Sequence, residues 1–67
     1  SQNSYAMALH NAALIWAQLG GWKTALACAR KAYSIWSNLL LITKDEQIKS
    51  YVAESQRLFA FLERNDK

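Results

Sequence analysis

Few side chains in this 67-residue sequence have the chemistry of catalysis or metal binding, and those few are scattered. There is one histidine, His10, and one cysteine, Cys28. An imidazole can serve as a general base, but no residue three or four positions from His10 is of a type that would orient it. Cys28 stands among alanines in "ALACARKA", a setting for a small apolar side chain rather than an activated thiolate. One His and one Cys on different segments do not make a metal site. A single Cys also leaves no internal disulfide. The acidic residues form no pair on a common apolar face, and Gly20 and Gly21 are adjacent rather than spread through a phosphate-binding loop. The sequence therefore predicts no enzyme, no cofactor and no metal.

Charge narrows the remaining classes. Eight Lys and Arg against five Asp and Glu give a net charge of +3, too sparse for the dense basic stripe of a nucleic-acid binder. Apolar residues make up 52% of the chain and include three Trp, which calls for a folded core rather than disorder. So short a chain buries only about 60% of its unfolded surface, so a larger parent protein or a partner is expected to support it. The first 22 residues carry no charge. They lack the basic start of a secretory signal, and His10, Asn11 and Gln18 interrupt any membrane span. The expectation is a cytoplasmic domain without membrane insertion.

Such residues must be carried by helices, because hairpin dipeptides between alternating segments are absent and β-branched residues are few. Three are expected, over about residues 4–19, 22–41 and 44–64. Gly20 and Gly21 stop the first helix, and so short a link folds the second back on it as an antiparallel hairpin. The fold class is all-α: a helical hairpin over residues 4–41 plus a third, capping helix over 43–64, a three-helix bundle within one domain of residues 1–67. At 100° per residue, Ala25, Leu26, Cys28, Ala29, Ala32, Tyr33, Trp36, Leu39 and Leu40 share one face of the second helix. Its small residues allow a close helix crossing. On the third helix, Ile48, Tyr51, Val52, Ser55, Leu58, Phe59 and Leu62 form an apolar stripe with Phe61 off its edge. Thr43 and Glu46 have capping-box spacing, and Asp45 and Lys49 an i,i+4 pairing.

The first helix is the unusual one. Tyr5, Leu9, Ala12, Ala13, Trp16 and Leu19 share an arc expected to face the core, with Trp16, Trp22 and Trp36 inside the hairpin. Met7, His10, Asn11, Leu14 and Gln18 lie on the opposite arc. A wet helix face normally carries Lys and Glu, so an arc holding Met, His, Asn, Leu and Gln is expected to meet a partner. These five are the candidate binding residues, and the partner is another protein, a peptide or a second copy of the chain.

The spacing Leu9, Ala12, Ala13, Trp16, then Gly20-Gly21-Trp22, then Ala25, Ala29, Ala32 resembles the tetratricopeptide repeat. "ALHNAALIWAQLGGWKTALACARKAYSIW" is similar to the kinesin-light-chain variety, over roughly half the chain. Ala12, Ala29 and Ser37 depart from the usual leucine, aromatic and proline. The resemblance implies a scaffold or adaptor whose first helices line a peptide groove, which places His10, Asn11, Leu14 and Gln18 towards a ligand. A lone repeat with one extra helix implies a fragment of an array, self-association or a compact relative. One such relative is the microtubule-interacting-and-trafficking domain, whose third helix "SYVAESQRLFAFLE" resembles. That alternative implies binding of helical tails of endosomal-sorting proteins between the second and third helices.

Overall fold

The computed structural model describes residues 1–65, which form three helices: α1 (Gln2–Gln18), α2 (Trp22–Thr43) and α3 (Glu46–Asn65). The all-α three-helix expectation is met, with bounds that move by a few residues. The chain measures 35 × 21 × 13 Å along its principal axes. α2 is the central member: it packs against both neighbours, while α1 and α3 scarcely touch. Consecutive residues of α2 show this, since Lys31 Nζ sits over the Tyr5 ring of α1 at 5.3 Å and the Arg30 guanidinium over Phe59 of α3 at 5.6 Å. One step along a helix turns the side chain by roughly 100°, so α1 and α3 lie against neighbouring faces of α2.

The two glycines have different reasons to be there. Gly20 takes φ +84°, the left-handed conformation that ends α1. Its N–H donates to the Ala17 carbonyl and the Gly21 N–H to the Trp16 carbonyl at 2.8 Å, the paired bonds of a Schellman motif. Gly21 has an ordinary φ of −84°, but a Cβ there would stand 2.8 Å from Cε3 of Trp16. The Trp16 ring closes over the turn and excludes a side chain.

The start of α3 differs from the expected capping box. Thr43 is the last residue of α2, and its hydroxyl donates to the Leu39 carbonyl. Asp45 caps α3 instead: its carboxylate accepts from the N–H of Gln47 at 2.7 Å and of Ile48 at 3.4 Å. That carboxylate is committed to backbone rather than to Lys49.

The core divides along α2 into two clusters. One holds Ala6, Ala32, Trp36 and Ile48, and the other Ala13, Ala25, Ala29 and Leu62. Alanines from α1 and α2 meet in both, so the backbones approach closely and larger side chains fill the flanks. Replacing Ala32 by Leu should therefore cost about 1–3 kcal/mol, because added methylenes at the crossing push the helices apart. Urea midpoints measure the loss, and a variant with unchanged stability and helicity would put the crossing elsewhere.

α1 differs from expectation by one residue of phase. Ala13 is buried as expected, but the other inward positions, Ala6, His10 and the partly buried Ala17, each lie one step after an expected core residue. Tyr5, Trp16 and Leu19, expected inside, are exposed, and Leu9 and Ala12 are half-buried. Trp36 is buried and Trp22 half-buried, so Trp16 is the tryptophan that departs from the expected interior trio. The reason is packing distance: a helix lying on an alanine face gains more from presenting its own small residues than from wedging in large rings.

Candidate functional site

The five candidate residues separate. Asn11, Leu14 and Gln18 are exposed on α1, Met7 is half-buried against Trp36's cluster, and His10 is buried. His10 therefore does not face a ligand. Its ring is tilted 55° against Trp36, with centroids 5.6 Å apart, and Trp36 in turn meets Tyr51 at 5.1 Å.

Only 7% of His10 is exposed, and its Nδ1 is buried with no hydrogen-bond partner. A buried polar atom left unpaired costs about 1–3 kcal/mol, so a similarly sized apolar residue is better suited to this position. His10→Met should raise stability by about 1 kcal/mol, read as a higher urea midpoint at unchanged slope. A lower midpoint would mean that the ring's contact with Trp36 outweighs the unpaired nitrogen.

The exposed part of the candidate arc continues into residues that the sequence reading placed elsewhere or passed over. Around α1 the order is Leu14, Gln18, Asn11, Ile15, Leu19, Tyr5 and Trp16, a contiguous half-cylinder without a charge. Ile15 is 57% exposed and Leu19 73%, and Tyr5, Leu14 and Trp16 are each more than two-fifths exposed. The exposed faces of α2 and α3 carry Lys23, Arg30, Lys31, Glu46, Lys49, Glu54, Arg57, Glu63 and Arg64, with exposed apolar residues at Leu41 and Ile42 at the end of α2 and at Phe61 on α3. Ile15 and Leu19 were findable from the missing charge: a helix with no charged side needs only the correct phase to reveal its apolar exposure.

Among the described residues no pocket opens and no group of three or more His, Cys, Asp or Glu could hold a metal ion. Cys28 is half-buried on α2 against the Leu62 cluster. No helix among the described residues is long and apolar enough to cross a membrane. What α1 offers is several apolar side chains bordered by two amides, Asn11 and Gln18, each able to donate and accept.

Compared with known proteins, the chain matches no family model, no curated protein and no solved structure.

Proposed function

We propose that this chain is a protein–protein interaction module that meets its partner through α1. One observation carries the reading: a 17-residue helix without a charged residue leaves Leu14, Ile15 and Trp16, and its C-cap Leu19, open to water. Contiguous exposed apolar surface is uncommon unless something covers it. Leu14, Ile15 and Leu19 are the apolar anchors, while the Asn11 and Gln18 amides give hydrogen bonds to a peptide backbone or side chain. A tetratricopeptide-like scaffold is the form proposed for it, with Ala13, Ala25 and Ala32 buried at the helix crossing. His10 is left out of the contact set because it is core.

The test is selection from a displayed peptide library, followed by mapping of amide shifts in a labelled chain. Selected peptides should shift α1 amides around residues 11–19. Asn11→Ala combined with Leu14→Glu should abolish that binding with helicity unchanged, since both side chains are exposed. Enrichment of peptides that ignore the double variant but are lost on Lys49→Glu or Arg57→Glu would move the site to α3, as the trafficking-domain alternative implies. With no enriched peptide and no association of the chain, the module reading fails.

A further inference from the structure

Resting on the reading of α1 as a contact surface, we infer that its partner is α1 of a second copy of this chain, paired antiparallel. The first ground is charge. Every copy carries a net +3, all of it beyond residue 22, so α1 is a face through which two copies can meet without setting like charges together. Lys31 lies beside Tyr5, near the start of α1. Antiparallel pairing centred on residues 11 and 12 holds the two Lys31 side chains about 20 Å apart along the helices, beyond the Debye length of about 8 Å at physiological salt.

The second ground is shape. Ser4, Ala8, Ala12, Ile15 and Leu19 fall on one stripe of α1, small in its first half and large in its second. A parallel copy would set Ile15 against Ile15 and Ser4 against Ser4. An antiparallel copy sets Ile15 against Ala8 and Leu19 against Ser4, filling each gap with the other's bulk. This is the self-complementarity that a two-fold interface needs. The third ground is the helix dipole. Ser1 caps the start of α1 through its hydroxyl, but no acidic residue in the first turn and no basic residue in the last offsets the dipole, and an antiparallel neighbour brings opposite ends together.

Area limits the strength. A 17-residue helix is about 26 Å long and presents a strip roughly 10 Å wide, some 250 Å², against about 800 Å² per partner in a standard stable interface. The dimer is therefore weak and reversible, with Kd between about 10 µM and 1 mM.

Sedimentation equilibrium of the full chain up to about 1 mM should show a monomer–dimer equilibrium in this range. Ile15→Lys and Ala8→Glu should each weaken association at least about tenfold, with far-UV circular dichroism unchanged, because both positions are exposed. Mixing the two variants should restore a heterodimer, since residue 15 of one copy faces residue 8 of the other. Three results would overturn the inference: a monomer throughout, association indifferent to both variants, or a mixture no tighter than its components. A chain that stays monomeric while selected peptides still shift α1 amides loses the second copy and keeps the interaction module. A chain that does neither loses both.

Discussion

Trp36→Ala should remove most of the stability of this protein. Its side chain is 1% exposed and is the largest that is fully buried. It contacts all three helices: its ring meets His10 of α1 and Tyr51 of α3, and its Nε1–H donates to Asn3 Oδ1 at 2.8 Å. Truncating a buried Trp costs about 3–5 kcal/mol. A domain of this size has only about 3–10 kcal/mol in all, at the usual stability per residue. The expected result is a chain largely unfolded at 37 °C, seen as lost helical circular dichroism and a collapsed urea midpoint. Trp36→Phe separates the contributions. It keeps an aromatic ring and loses the bond to Asn3, whose exposed amide can turn to water, so it should cost clearly less. A Trp36→Ala variant that melts with the native protein would mean that the ring does not join the helices.

The faces of α2 and α3 are legible in the sequence because charge marks their wet sides. Lys23, Arg30 and Lys31 on α2, and Lys49, Glu54 and Arg57 on α3, leave one stripe on each helix for the core. Ala25, Ala29, Ala32 and Trp36 are buried there, as are Ile48, Ser55 and Leu62. α1 carries no such mark. With apolar residues around its circumference, its phase is set by fit against α2's alanines, a property of two surfaces that no single helix reveals. Hydrophobicity alone favours the arc with Trp16 and Leu19, whereas close packing keeps Ala13 from that arc and selects Ala6 and His10 beside it. The same shift changes the candidate site: the missing charge singles out α1, but the one-residue phase error assigns Leu19 to the core and His10 to the surface. Local capping was equally out of reach, since Thr43 and Asp45 are both competent caps and the length of α2 decides between them.

The second large effect concerns the far end of the bundle. Leu62→Ala should cost about 3–5 kcal/mol, the upper part of the range for a buried leucine. Leu62 is fully buried in a cluster whose other buried members are Ala13, Ala25 and Ala29. Cavities are relieved when neighbouring side chains swing into them, but an alanine methyl has no rotamer to swing. Leu26, Leu58 and Phe59 at the cluster's edge have rotamers to move, but on the alanine side closing the void requires the helix backbones to shift, so much of its penalty is felt. Leu62→Met, which refills the volume, should cost less than about 1.5 kcal/mol. The position also fixes where the damage appears. α3 is anchored by Ile48 near its start and Leu62 near its end, and the last turns are otherwise held by Leu58, Phe59 beneath Arg30, and Phe61 beside Trp22 at 6.5 Å. Without Leu62 these turns should open before the rest of the molecule. Amide hydrogen exchange in Leu62→Ala should then show lost protection from about residue 59 onward, while amides around Trp36 keep theirs relative to the variant's own global stability. Uniform loss along all three helices would instead make Leu62 part of one indivisible core with Trp36.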